Sequence, residues 1–566
     1  MYVMAYAPYG AGGIIIRVEA DIRRGIPGID ISGLADGAVK EARERVRAAF
    51  RNSGFAFPAD RILINLAPAG LRKEGASLDL PIALSVMAAA GLAPSPDNVL
   101  VMGELELSGR IRPVRGVLAA AAAGLAAGIR DFIVPAENAG EAAILTEGRF
   151  AAVSTLGEAA HALVVRDKTG ALPQTTPPPA EAGPPVFTGD FAEVRGQGRY
   201  KRVLEIAAAG GHNVLAFGPP GAGKTMLARR IPSIMAPLSP REAVEVTRLH
   251  SLAGRIGPER DDAKDGDAAG SLSPGLIIRP PFRTPHHSAS AEGILGGGKT
   301  VRPGEISLAH YGALFLDEAP EFRANVLQAL REPLEDRVIT ISRAEGPVRL
   351  PADFQLLLAA NACPCGRLGV RDRAAGFSET LSALAGDSGG TAAKPALSGP
   401  ETGFSGFSGL LAGAACFCSS EEISRYWRKF GGALLDRVEL RAALLPPKIG
   451  AMVQAGEEDS AAIRGRVTGA VEIQRARFAG MEIRRNARLP AGMIEAACPL
   501  TDRGAVAFRQ AMAKLGLSGR AFHGILRVAR TIADLEGRDA IDTPHILEAI
   551  QHRRQGDDPY DILSAE

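Results

Sequence analysis

Two stretches near the start of the chain, IIIRVEA at residues 14–20 and RILINL at residues 61–66, read as strands, and alanine-rich segments of helical spacing surround them. Residues 1–165 are therefore expected to form an α+β module. Farther on the pattern changes. ALFL at 313–316 and QLLLAA at 355–360 are short unbroken apolar runs, as expected of parallel strands buried on both faces. Beyond residue 446 the periodicity is helical, most plainly in RAFHGILRVAR at 520–530, and predicts an all-α lid.

Breaks in these patterns divide the chain. The segment ALPQTTPPPAEAGPP at 171–185 predicts an extended, semi-rigid linker over about 166–186. An α/β core with a parallel sheet is expected over 187–446 and the lid over 447–566. A second break falls at about 369–415. From 374 to 415 glycine, alanine and serine dominate, and the charges are Glu379, Asp387, Lys394 and Glu401. A disordered surface insertion is the expectation there. The whole reads as a multidomain α/β protein.

Composition narrows the function classes only slightly. With 566 residues and 46% apolar residues the chain is expected to hold several folded cores. A formal net charge of +2 means that any nucleic-acid contact must come from a local basic surface. No basic region precedes an apolar core at the N-terminus. The uncharged alanine-rich stretch at 116–129 is shorter than the roughly 18 residues of a membrane helix. A soluble cytoplasmic protein without a membrane partner is the expectation. Five cysteines are too few for a disulfide scaffold, and four of them form C-x-C pairs.

Chemistry is concentrated in the middle of the chain. Gly218, Pro219, Pro220, Gly221, Ala222, Gly223, Lys224 and Thr225 fit the pattern G-x-x-x-x-G-K-[ST], in which backbone N–H groups close around phosphate oxygens. Lys224 is expected to reach the β- and γ-phosphates of ATP, with the Thr225 hydroxyl on Mg²⁺. A chance glycine turn is the bland alternative for this motif alone. The apolar run ending in Asp317 and Glu318 weighs against it, because such a strand delivers one carboxylate to the metal and leaves the other to orient water. Asn361, at the end of the 355–360 run, is a candidate γ-phosphate sensor or an ordinary strand cap. Arg437 is a candidate for the neighbouring subunit's site or a solvated surface charge.

Taken together, the sequence resembles the AAA+ ATPases, and more narrowly the YifB/ComM family of magnesium-chelatase-like proteins. The resemblance is carried by VRGQ at 194–197, KRVLEIAAAGGHNVL at 201–215, RTPHHSASAEGILGGG at 283–298, RPGEISLAHYGALFLDE at 302–318 and ILRVARTIADLEG at 525–537. It implies that Arg437 is an arginine finger and Arg520 the sensor 2 residue. It also implies a ring, with a homo-hexamer expected, because a finger acting in trans leaves a lone subunit incomplete. The N-terminal module resembles the Lon-type, S5-like protease domain. Ser77 aligns with the nucleophile of that domain, but Ala120 stands where its catalytic lysine would follow, so no peptidase activity is expected.

Cys363, Cys365, Cys416 and Cys418 supply the four thiolates of a structural zinc site, and two reduced, metal-free pairs are the alternative. Resemblance to helix-2-insert ATPases, including minichromosome maintenance helicases, turns two segments toward a central channel. These are RPPFRTPHH at 279–287 and a hairpin running from Val338–Arg343 to Val348–Arg349. Arg283, Lys299 and Arg343 are the candidate contacts to DNA phosphates. The pair His286 and His287 is read as loop packing or backbone contact rather than as metal ligands. By resemblance the function is an ATP-driven hexameric helicase for branch migration in recombination of incoming DNA. The competing readings are a protein remodeller, and a chelatase subunit that lacks the D-x-S-x-S metal motif.

Overall fold

A computed structural model describes residues 1–175, 189–256, 275–298, 301–343, 346–368, 416–447, 457–515 and 519–554, apart from residues 35, 72 and 74. Residues 176–186 of the linker, the insertion at 369–415 and Lys299 lie outside the described residues.

Seven strands form one mixed sheet in the N-terminal region: β1 (Tyr2–Ala7), β2 (Ile14–Arg23), β3 (Gly28–Ser32), β4 (Arg61–Ala67), β5 (Val99–Val101), β6 (Asp131–Pro135) and β7 (Arg149–Val153). Their order is β3-β4-β2-β1-β5-β6-β7. Every second residue faces the core: Ile16 and Val18 on β2, and Ile62, Ile64 and Leu66 on β4, are fully buried. Helices α1 (Gly37–Asn52), α2 (Asp79–Ala89), α3 (Val117–Ala126) and α4 (Leu156–Thr169) cover this sheet. α2 is buried along nearly its whole length. Its one carboxylate, Asp79, is held by Arg45 at 2.7 and 2.9 Å.

The second sheet lies in the central region. Strands β8 (Val214–Phe217), β9 (Phe282–Arg283), β10 (Ala313–Leu316), β13 (Gln355–Ala360) and β14 (Leu440–Ala443) pair in parallel in the order β9-β10-β13-β8-β14, while β11 (Val338–Ile341) and β12 (Val348–Pro351) form a separate antiparallel hairpin. Register brings the strand ends level. Phe217 stands opposite Ala360 and Ala443, and Leu316 opposite Leu358. Gly218, Asp317 and Asn361 thus leave one edge of the sheet together, outside the carboxyl ends of its strands, where open α/β sheets bind ligands.

Helices complete the molecule: α5 (Gly198–Gly210), α6 (Lys224–Ala228), α7 (Pro240–Leu252), α8 (Arg331–Asp336), α9 (Ser420–Arg428), α10 (Ser460–Arg477), α11 (Asp502–Leu515), α12 (Gly519–Leu535) and α13 (Thr543–Arg554). On α12, Ala521, Ile525, Val528, Ala529 and Ile532 are buried at the spacing that the sequence predicted. Ile525, Val528, Ala529 and Ile532 join a core that also holds Val203 and Ala207 of α5, Val214 and Leu440. The C-terminal helices therefore share the core of the parallel sheet.

α7 carries the contact with the N-terminal module. Leu252 packs in one cluster with Tyr6, Val117 and Ala120. Beside it the buried Glu141 carboxylate accepts hydrogen bonds from the Ser251 hydroxyl and, at 2.8 Å, from the Leu118 N–H. Burial holds that carboxyl above the usual carboxylate range. Ala120, the position where a peptidase of the Lon type would carry lysine, belongs to this packed surface. Among the described residues no helix is long and apolar enough to cross a membrane.

Candidate functional site

The phosphate-binding motif bridges β8 and α6. Gly218 is required by packing, since a Cβ there would sit 2.1 Å from the Leu444 carbonyl oxygen. Gly221 and Gly223 adopt φ of 78° and 90°, and a Cβ on either would project into open space. The loop therefore presents a concave backbone of the kind that takes a triphosphate. Its far side is braced by Gln197, itself left-handed at φ 59°, whose Nε2 donates to the carbonyls of Ala222 at 2.9 Å and Leu445 at 2.6 Å.

Lys224 is buried inside this loop. Its ammonium donates to the carbonyls of Gly218 at 2.6 Å and Pro219 at 2.9 Å, and to Asn361 Oδ1 at 3.3 Å. Burial pulls its pKa down to about 8, against the attraction of Asp317 and Glu318. Next to it the Thr225 hydroxyl donates to Asp317 Oδ2 at 2.9 Å. The hydroxyl and carboxylate that would share Mg²⁺ are thus adjacent although 92 positions apart in the chain. This donor pair, one hydroxyl and one carboxylate, suits a hard divalent cation.

Glu318 comes next, in a left-handed conformation of φ 49° and ψ 44°, with its N–H donating to Asp317 Oδ1 at 3.0 Å. Such a backbone costs a non-glycine residue about 1–3 kcal/mol and is concentrated at functional sites. It sends the side chain outward, with 62% of it exposed, where Oε2 lies 3.9 Å from His287 Nδ1. The loop-packing expectation for His287 missed this approach, because no spacing in the chain connects it with Glu318.

The three remaining positions are resolved differently. Asn361 Oδ1 accepts from the Lys224 ammonium, so its side chain faces the phosphate loop. Arg437 is turned inward: its side chain is 11% exposed, and it meets Glu335 at 2.5 Å and the Ala433 carbonyl at 2.6 Å. Arg520 meets the same Glu335 at 2.5 Å and Asp436 at 3.4 Å. Glu335, on α8, is a partner with no signature in the sequence.

One expected DNA contact is corrected. Arg283 is a strand residue of β9, nearly buried, and its guanidinium is committed to Glu305 at 2.6 and 3.1 Å. A phosphate on the surface is out of its reach. Arg343 is exposed beyond β11 and donates to the Gly298 carbonyl. The hairpin itself forms as expected, with Val338 opposite Pro351.

The sulfurs of Cys363, Cys365, Cys416 and Cys418 all lie within 4.8 Å of one another, which brings the two C-x-C pairs into one cluster.

Three family descriptions match successive parts of the chain. The description "Magnesium chelatase, subunit ChlI" matches residues 190–383, "Subunit ChlI of Mg-chelatase" matches 18–138, and "Magnesium chelatase, subunit ChlI C-terminal" matches 457–553. The competence protein ComM of Haemophilus influenzae is 37% identical over 562 residues, 97% of each chain. The protein YifB of Escherichia coli is 37% identical over 558 residues, 97% of this chain and 96% of its own. A Lon protease of Geobacter metallireducens is 24% identical over 194 residues, 33% of this chain and 23% of that one.

Proposed function

Because the chain belongs to the YifB/ComM family of magnesium-chelatase-like AAA+ proteins, we propose that it is an ATP-hydrolysing motor that acts on branched or single-stranded DNA as a homo-hexameric ring. The observation that carries the ATPase part is the convergence of Lys224, Thr225, Asp317 and Asn361 at one sheet edge. On this reading Lys224 and the loop amides bind the phosphates of ATP, and Thr225 and Asp317 hold Mg²⁺, which neutralises charge developing on the transferred phosphoryl group. Glu318 orients the attacking water, and Asn361 contacts the γ-phosphate.

On the same reading Arg437 completes the site of an adjoining subunit, which is why a ring is required, and Arg520 is the sensor 2 residue. The DNA part is supported by the name of the competence relative and by the exposed hairpin end at Arg343. The N-terminal module is a docking or ring-stabilising element without peptidase chemistry, since Ala120 offers no base for Ser77. A labelled four-way junction incubated with the assembled protein tests the motor reading. Resolution into duplex arms is expected only with hydrolysable ATP and an intact Lys224. An ATP-hydrolysing ring that leaves every junction intact contradicts it.

A further inference from the structure

The four clustered sulfurs have the spacing of a metal site. Cys363 Sγ lies 3.3 Å from Cys365 Sγ, and Cys416 Sγ lies 3.6 Å from each of them. These separations far exceed the roughly 2.05 Å of a disulfide bond, and all four thiols are free. Sulfurs each about 2.3 Å from a central zinc ion stand about 3.8 Å apart when tetrahedral. The closest pair needs to open by only about half an ångström to reach that geometry.

Backbone amides point the same way. Cys363 accepts a hydrogen bond from the Leu368 N–H at 3.3 Å, and Cys365, Cys416 and Cys418 accept from the N–H groups of Arg367, Cys418 and Cys365. Backbone donors aimed at sulfur fix the orientation of the four side chains toward one centre. Among the described residues no histidine or carboxylate joins the cluster. An all-sulfur set of four selects zinc over the harder Mg²⁺ and Ca²⁺.

We propose that Cys363, Cys365, Cys416 and Cys418 hold one structural Zn²⁺, and that this ion ties the sensor end of β13 to helix α9. Cys363 lies two residues beyond Asn361, and Cys418 directly precedes Ser419, the N-cap of α9. From α9, Trp427 Nε1 donates to the Ala362 carbonyl at 3.0 Å, and the Tyr426 hydroxyl accepts from the Asn361 backbone. The Trp427 ring also meets Phe217, the last residue before the phosphate loop, edge-on at 5.3 Å. Gly366 closes the turn so near that a Cβ on it would lie 3.4 Å from Pro220 and 3.7 Å from Asn361 Nδ2. The ion thus braces the residues that set Asn361 against Lys224, and it joins two pairs 51 positions apart, whose closure otherwise rests on weak contacts. The site stands apart from the DNA reading and is tested without it.

Metal analysis of full-length protein from zinc-replete medium should give one zinc per subunit. Replacement by Co²⁺ should give the intense visible bands of a tetrahedral tetrathiolate. Cys365→Ser and Cys418→Ser should each lose that spectrum, and Cys498→Ser, remote from the cluster, should keep it. Trp427 is the chain's only tryptophan. Its emission should shift when a chelator strips the wild-type protein and return on adding Zn²⁺ but not Mg²⁺, a readout that needs no variant to fold. Zinc well below one per subunit, or iron in its place, overturns the site. A Trp427 emission indifferent to metal removal overturns the tether.

Discussion

Arg437 and Arg520, one from the end of the parallel-sheet core and one from helix α12, close on a single carboxylate: each guanidinium lies 2.5 Å from an oxygen of Glu335. The pairing gathers the two cations at one carboxylate, with Arg520 half-exposed and Arg437 nearly buried. With 47% of the Arg520 side chain and 48% of the Glu335 side chain exposed, that pair is in a medium where it is worth little, and Glu335 can yield to a stronger anion. A phosphate of a nucleotide bound by an adjoining subunit is such an anion.

Arg437→Ala should therefore lower ATP turnover in assembled protein by about a thousandfold or more. Mixing Arg437→Ala subunits with Lys224→Ala subunits should restore part of it, because some interfaces then contain an intact Arg437 and an intact Lys224. Mixed rings with only the parental background activity would remove Arg437 from the trans role.

Lys224→Ala and Glu318→Gln should fail differently. The first removes a charged hydrogen-bond donor, and ATP affinity should fall about ten- to a hundredfold. Glu318→Gln leaves the phosphate loop untouched, so it should bind ATP normally and turn it over poorly. Equilibrium binding of a fluorescent ATP analogue beside steady-state hydrolysis distinguishes the two. His287→Ala should lower turnover less than Glu318→Gln does, since it only flanks that carboxylate at 3.9 Å.

Binding should also depend on pH through Lys224. Burial brings its pKa down to about 8, so the cation is present below that pH and is lost as pH rises through it. ATP affinity should weaken from about pH 8 upward, whereas an ordinary lysine keeps its charge to about 10. Lys224→Arg keeps its charge throughout and should abolish the pH dependence, whatever its absolute affinity. A wild-type affinity flat from pH 7 to 9.5 would contradict the buried-cation account.

Arg283→Ala should act on stability rather than on DNA. Removing one member of its nearly buried pair with Glu305 should cost roughly 3 kcal/mol, read as a lower denaturation midpoint. The salt dependence of DNA binding should be unchanged. Arg343→Ala should do the reverse, sparing stability and reducing the salt slope by about one.

Much of this site was legible in the chain because its parts are local. The glycine pattern at 218–225, the apolar run before Asp317 and the run before Asn361 each carry their signal within eight residues, and parallel register brings their ends together. The two paired thiol motifs were likewise visible before their convergence was. What escaped depends on contacts across the fold. Glu335 sits on a short helix with nothing local to tie it to Arg437 or Arg520. Gln197 matters through its reach to Ala222, and His287 through its approach to Glu318. Arg283 misled because a basic residue in a polar loop motif resembles a surface contact, whereas β9 draws it into the sheet beside Glu305.

The most direct test of the central claim is steady-state ATP hydrolysis by the full-length protein, with Mg²⁺ and a matched series of no DNA, duplex, single-stranded and four-way-junction DNA. The account predicts hydrolysis that disappears in Lys224→Ala, rises severalfold with single-stranded or branched DNA, and loses that rise as salt increases. Hydrolysis abolished by Lys224→Ala but indifferent to every DNA structure would contradict the motor reading and point to a protein substrate instead.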